Sequence, residues 1–310
     1  MPSAPRRPWL ALFLGGLCPG LGHLYAGSPW WAVMIPAASL ALAAVIGWLA
    51  AAEHVGPLGW LALATIIPLL SRGLLPWHAA WLARRRRHAG LLPVQRIWVY
   101  MAFWVGVHVM LVHGVRAVRS LLVEPYHVPS GSMSPTVLPG DLLLVSKLDL
   151  APKHLRSEVV LVDSGQPWVK RVVGLPGDVV ELRNERLLIH AQPLGREHCD
   201  LGELPTAQHG GATAFVETDG GGRRYLVQWG PPLWSEDVDS TPVPPEHLFL
   251  LGDNRDNSQD SRHWGPMPAE LVRGTVLGIW ASFDPETHQP RWERFGRRIR
   301  FPSELELGCR

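Results

Sequence analysis

Acidic residues are all but missing from the first 123 positions of this 310-residue chain. Glu53 stands alone there against ten arginines, a balance of +9. Lysine is missing from that stretch altogether: only Lys147, Lys153 and Lys170 occur in the whole chain, beside 26 arginines. Residues 124–310 carry 19 basic and 26 acidic residues, a balance of −7, so the near-neutral total averages two unlike halves. That split excludes an evenly solvated globule. It also excludes a general nucleic-acid binder, because the basic excess lies among apolar runs and the larger half is acidic. Disorder is excluded by an apolar content of 47%. Three cysteines, Cys18, Cys199 and Cys309, are too few for a disulfide framework. Cys199 and Cys309 alone could pair outside the cytoplasm, and nothing in the sequence decides whether they do. The 14 histidines are scattered, with no Cys/His spacing of a zinc site, so neither metal nor cofactor is expected.

What the first half has is long runs without charge. Residues 8–52 contain no Asp, Glu, Lys or Arg, and Trp31 to Ala52 is apolar for 22 residues. That suffices to span roughly 30 Å of hydrocarbon at about 1.5 Å per residue. A second run covers 54–71 and continues beyond Arg72, and a third covers Ile97 to Val115. Nine of the 15 tryptophans lie in residues 1–110, several near the ends of these runs, where interfacial anchors sit. Buried helices of a large soluble protein are the competing reading, and lengths like these favour the bilayer. Orientation follows from arginine. Arg84 to Arg87 mark a cytoplasmic loop, and Arg6 with Arg7 a cytoplasmic N-terminus. Two crossings, 31–52 and 57–80, then separate them. Trp9 to Gly27, interrupted by Pro19, Gly20 and Gly22, is expected to be re-entrant or interfacial. The expected organisation is a membrane region over 1–83, a basic loop over 84–96, a transmembrane helix over 97–119 and an extracytoplasmic domain over 120–305.

Beyond Leu122 the pattern changes to short β-branched runs, such as Val159 to Val162 and Val169 to Val173. Turn signals separate them: Pro139-Gly140-Asp141, Pro176-Gly177-Asp178 and Gly252-Asp253-Asn254. This predicts a mainly-β domain with tight turns, and residues 191–243, rich in Gly and Pro, predict a loop-rich insertion.

Three segments can carry chemistry. Residues 124–136 read EPYHVPSGSMSPT, and each serine there is ordinarily a turn or capping residue. In WVKRVVG, Lys170 interrupts an apolar strand. Burial lowers a lysine's pKa and lets the neutral amine act as a base, a role closed to arginine. The alternative is an edge-strand lysine reaching water. Residues 250–265, LLGDNRDNSQDSRHWG, hold more polar groups than an ordinary turn, the alternative being a solvated loop with local ion pairs.

In this order, PSGSMSPT, GDLLLVSK, VKRVVGLPGD and GDNRDNSQDSRHWG resemble the type I signal peptidases, membrane-bound Ser–Lys proteases that remove signal peptides from exported proteins. The resemblance covers roughly residues 120–300, and Arg291-Trp292-Glu293-Arg294 is similar to the family's closing segment. It implies an α-helical membrane region followed by a mainly-β catalytic domain. It implies Ser132 as nucleophile, Lys170 as general base, Ser130 as an oxyanion-hole hydroxyl and Ser258 as the hydroxyl orienting the lysine. Arg171 with Asp253, and Asp260 with Arg262, match supporting ion pairs. Tyr126, Val128, Met133, Trp168 and Val169 flank the dyad and could line shallow pockets for small residues one and three positions before the cut. Ordinary core packing is the alternative for these five. The implied partners are preprotein signal peptides, the lipid bilayer and the export machinery, at a bacterial-type plasma membrane crossed several times.

Two other function classes fit parts of the sequence. One is a soluble Ser–Lys protease that cleaves itself or one client, against which the apolar runs count. The other is an inactive membrane-tethered peptide-binding or scaffold module, against which intact Ser132, Lys170 and Ser258 count. Residues 19–27, PGLGHLYAG, resemble a short motif of small two-helix membrane modules, which departs from the one or two anchors common in signal peptidases.

Overall fold

Helix takes over the first apolar residues at Pro8, whose missing N–H costs nothing in a first turn. The computed structural model describes residues 5–51, 69–88, 96–148, 150–200, 212–230 and 237–299. They divide into two compact units, one of Met1–Ala50 with Gly59–Leu122, the other of Ala51–Leu58 with Val123–Arg310.

The first unit is helical: α1 (Pro8–Leu17), α2 (Leu21–Tyr25), α3 (Pro29–Ala51), α4 (Leu75–Arg85) and α5 (Ile97–Leu121). The stretch from Trp9 to Gly27 is two short helices because Cys18 is extended and Gly20 is left-handed, with φ of 88°. A Cβ on Gly20 would stand 2.2 Å from the Ala32 carbonyl oxygen, so this break needs glycine. Small residues bring the helices together. Ala11, Ala26, Ala79 and Ala83 are fully buried in one cluster, the kind of contact that lets apolar helices approach closely without large side chains. Helices α3 and α5 are each long and apolar enough to cross a bilayer. The expected crossing over 57–80 begins among residues that lie outside the described ones. Its described remainder is a π turn, Leu70–Leu74, leading into α4.

The second unit is built from strands β1 (Val123–His127), β2 (Asp141–Ser146), β3 (Val159–Asp163), β4 (Pro167–Gly174), β5 (Val179–Arg183), β6 (Arg186–Ile189) and β7 (Gln192–Pro193). These are followed by β8 (Gly195–Cys199), β9 (Thr213–Thr218), β10 (Arg224–Trp229), β11 (Val238–Pro242), β12 (His247–Leu251), β13 (Met267–Pro268) and β14 (Val272–Ser282). A short helix α6 (Ser261–Trp264) follows β12. Seven strands form one antiparallel sheet in the order β1-β2-β14-β3-β4-β12-β13. Smaller sheets run β10-β9-β8 and β11-β5-β6-β7. The fold class is therefore apolar N-terminal helices plus a mainly-β domain.

The β-branched runs are buried on both faces of the large sheet. Along β3, Val159 and Leu161 enter one core with Val128, Met133 and Val169, while Val160 and Val162 enter another with Val172, Leu248 and Leu250. Covering both faces suits a continuous apolar run rather than an alternating one. Residues 191–243, expected as loop-rich, supply five strands, with 201–211 and 231–236 outside the described residues. Cys18 is free and Cys199 is disulfide-bonded. Cys309 lies outside the described residues.

Candidate active site

Strand β4 lies between β3 and β12, with Lys170 opposite Val160 and Arg171 opposite Leu251. Both residues are therefore fixed from either side, and consecutive side chains leave opposite faces of a strand. Lys170 is 4% exposed and its Nζ donates to Ser132 Oγ at 2.9 Å. Burial brings the amine down to about 8. Asp260 and Asp253 favour its charge and Arg262 opposes it. Arg171, on the other face, donates from Nε and Nη2 to Asp253 Oδ1 and Oδ2 at 2.8 and 2.6 Å and from Nη1 to the Ser157 carbonyl at 2.7 Å.

Ser132 sits in the loop joining β1 to β2. Val128 and Gly140 close the base of that loop. The Val128 N–H donates to the Asp141 carbonyl, and the Gly140 N–H to the Val128 carbonyl, both at 2.9 Å. Ser130 Oγ lies 3.5 Å from Ser132 Oγ. From the other side, the segment after β12 reaches the loop through Asn254. Its backbone N–H donates to the Ser132 carbonyl at 3.1 Å, and its Nδ2 to the Gly131 carbonyl at 3.0 Å.

Asp260 is fully buried and grips Arg262, which donates from Nε to Oδ1 at 2.8 Å and from Nη2 to Oδ2 at 2.9 Å. Burial opposes charge on Asp260, but Arg262 and the Gly252 N–H outweigh it and hold the carboxyl below its usual range. Ser258 is buried, and its hydroxyl meets hydrogen-bond geometry with no group among the described residues. Ser258, implied above as the hydroxyl orienting the lysine, makes no hydrogen bond to Lys170 in this structure. Its hydroxyl is instead near enough to Asp260 to favour that carboxylate's charge.

Beside the pair opens a cleft of about 380 Å³, lined in part by Ser130, Ser132 and Lys170. Tyr126, Val128, Met133, Trp168 and Val169 all line it as well. Val128, Met133 and Val169 also belong to the buried core, so for these three, packing and cleft wall are the same contact. The Tyr126 hydroxyl donates to the Pro167 carbonyl at 3.0 Å across the cleft's edge. A buried amine that titrates near neutrality beside a hydroxyl can take that hydroxyl's proton. Among the described residues no group of three or more His, Cys, Asp or Glu could hold a metal ion.

The sequence model of the family "Signal peptidase, peptidase S26" matches residues 100–281. The chain belongs to this family. Signal peptidase I of Pseudomonas fluorescens is 33% identical over 221 residues, covering 59% of this chain and 74% of that protein. Signal peptidase I of Pseudomonas aeruginosa is 32% identical over 211 residues, with the same shares. A crystal structure of a signal peptidase I from Enterococcus faecalis is 27% identical, covering 39% of this chain and 93% of that one, with a TM-score of 0.25.

In this S26 peptidase, sequence reading missed three supports. Arg294 donates to both oxygens of Asp141, from Nε at 3.0 Å and Nη2 at 2.6 Å, and to the Thr136 carbonyl at 3.1 Å. Asp141 Oδ2 in turn accepts from the Leu138 N–H at 2.8 Å, so this pair clamps the Ser132 loop from its far side. Arg255, wholly buried, donates to both oxygens of Glu217 at 2.9 and 2.6 Å. Asn254 is the third. All three lie in segments that the resemblance had singled out, Asn254 and Arg255 in GDNRDNSQDSRHWG and Arg294 in the closing segment, but no role had been read for any of them.

Proposed function

We propose that this S26 peptidase is a serine endopeptidase that removes N-terminal signal peptides from exported preproteins, cutting after small residues at the −1 and −3 positions. The observation that carries this reading is the 2.9 Å contact between the buried Lys170 amine and Ser132 Oγ. Neutral Lys170 takes the Ser132 proton as Oγ attacks the scissile carbonyl. The Ser130 hydroxyl and the Ser132 N–H stabilise the oxyanion, one such donor being worth around 3 kcal/mol in the transition state. Lysine then returns the proton to the leaving amine, leaving an acyl-enzyme. Water, deprotonated by the same amine, releases the peptide acid and regenerates the pair. Arg171–Asp253 and Asp260–Arg262 hold the site in place, with Ser258 beside them.

The substrate lies extended in the cleft, its alternate side chains meeting the walls formed by Tyr126, Val128, Met133, Trp168 and Val169. The peptidase works at a bacterial-type plasma membrane, crossed more than once, with the β domain on the extracytoplasmic side and the export machinery as neighbour. Incubating purified full-length protein with a model preprotein and mapping the cut tests the reading. Ser132→Ala and Lys170→Ala variants should fold and lose activity by roughly 10³-fold or more. Retained cleavage by either variant overturns it.

A further inference from the structure

Six of the ten arginines in residues 1–123 lie just before α1 or at the end of α4. The Arg6 N–H donates to the Arg87 carbonyl at 3.1 Å, and the Arg7 N–H to the Tyr25 hydroxyl at 2.9 Å. These bonds draw the residues before α1 against the end of α4. Two guanidinium groups then converge on the turn after α2. Arg6 Nη1 donates to the Ala26 carbonyl at 3.0 Å. Arg86 Nη1 donates to the Gly27 carbonyl at 2.6 Å and to Ser28 Oγ at 2.8 Å. Arg6 is only 3% exposed, and burial together with the Arg86 charge presses its guanidinium below its ordinary value. Arg86 is exposed, as are Arg7, Arg84, Arg85 and Arg87, the neighbours of the pair in sequence.

No Asp or Glu occurs in residues 1–52 or 54–123. Six arginines therefore lie along the residues before α1 and the end of α4, and among the described residues of this unit there is no carboxylate to balance them. Such an arrangement is complementary to an anion delivered from outside, and guanidinium groups match phosphate oxygens as forks. Both Arg86 contacts use Nη1, and a guanidinium carries further N–H donors on Nε and Nη2. The surroundings point to a bilayer as the source. Trp77 and Trp81 on α4 are large, exposed indoles. Arg85 lies over Trp81 with Cζ 3.8 Å from the ring centre, a pairing suited to headgroup level.

We infer that the end of α4 and the turn at residues 26–28 form a binding site for the phosphate of an anionic phospholipid headgroup. Arg86, Arg85 and Arg7 contact the phosphate, and buried Arg6 is a positioning residue that fixes the turn. The test uses delipidated full-length protein in detergent, titrated with phosphatidylglycerol or phosphatidylcholine and read by native mass spectrometry. The wild type should retain phosphatidylglycerol preferentially. Each arginine removed should weaken that retention about fivefold, so Arg86→Gln loses one such factor and Arg85→Gln/Arg86→Gln about two. Arg86→Lys, which keeps the charge, should lose less than Arg86→Gln, and Arg72→Gln, outside the cluster, should lose nothing. Helical content by circular dichroism confirms that each variant is folded. Equal retention of the two lipids by the wild type overturns the inference, as does undiminished phosphatidylglycerol binding by the folded double variant. Displacement of the lipid by an equal concentration of inorganic phosphate overturns the lipid assignment in favour of a free-phosphate site.

Discussion

Lys170 Nζ lies 2.9 Å from Ser132 Oγ, while the next residue in the strand turns the other way and grips Asp253. One dipeptide of β4 thus places a titratable amine on one side of the sheet and a permanent cation on the other. Arginine could not exchange roles with the lysine, because it stays protonated.

The pH dependence of cleavage follows from that amine. Burial, the largest influence, lowers Lys170 from 10.5 to about 8. Its neutral form is the one able to accept the serine proton. The sign is therefore fixed: kcat/KM rises with pH and levels off above about 8, whereas an exposed lysine would keep it rising to about 10.4. A pH–rate profile on a model precursor peptide checks this. A profile that is flat across neutrality, or still climbing steeply above 9, is the contrary outcome.

Asp253 is fully buried and neutralises an arginine that is itself only 3% exposed. Removing one member of such a pair leaves a charge in the interior, which costs about 3–5 kcal/mol. Asp253→Ala should therefore lower the thermal midpoint of the isolated protein sharply. A double variant, Arg171→Met with Asp253→Leu, should recover much of the loss, since no charge is then stranded. If the double variant is less stable than Asp253→Ala alone, the pair does something other than neutralise charge.

Two glycines near Ser132 respond differently to a methyl group. At Gly252 a Cβ would stand 2.2 Å from Ser258 Oγ and 2.5 Å from the Ser132 carbonyl oxygen. At Gly131 the nearest neighbours are 3.5 and 3.9 Å away, ordinary contact. Gly252→Ala should push the Ser132 loop off Lys170 and cut kcat by about 10²-fold, the scale of a 1 Å misplacement. Gly131→Ala should stay within about threefold of the wild type, because ordinary contact distances leave room for a methyl. Matched rates for the two variants would show that the loop yields more easily than these distances imply.

What could be read from sequence was what is local. The apolar runs of α3 and α5, the tight turns at Pro139-Gly140 and Pro176-Gly177, and the anomaly of Lys170 are each written in one continuous stretch of chain. The family resemblance then joined four such segments. Contacts between distant residues were not legible. Arg294 meets Asp141 across 153 positions and Arg255 meets Glu217 across 38. An arginine and a carboxylate carry no mark of their partner. The insertion at 191–243 read as loop because it is rich in Gly and Pro, yet β9 and β10 pair in register from Thr213–Trp229 to Thr218–Arg224. Thr, Phe, Val, Tyr and Trp in TAFVET and RYLVQW favour strand, a local signal that the average composition of the insertion masked.

Asn254 supplies the last prediction, because it separates holding the serine from holding the fold. The two hydrogen bonds that it donates end on consecutive carbonyls, those of Gly131 and Ser132. The bond to Ser132 comes from the backbone and survives any substitution except proline. The bond to Gly131 comes from Nδ2. Asn254→Ala therefore removes one hydrogen bond, costing about 1 kcal/mol of stability, and loosens the residue before the nucleophile. Asn254→Asp sets a carboxylate against the Gly131 carbonyl at a site only 6% exposed, so repulsion replaces attraction. We expect kcat to fall about tenfold for Ala and further for Asp, while KM changes less than threefold, since a misplaced nucleophile slows the chemical step more than binding. Steady-state kinetics on a precursor peptide give the split, and thermal melts show how much is stability. An Asn254→Asp variant that melts lower but cleaves at the wild-type kcat would make Asn254 a structural residue with no part in positioning Ser132.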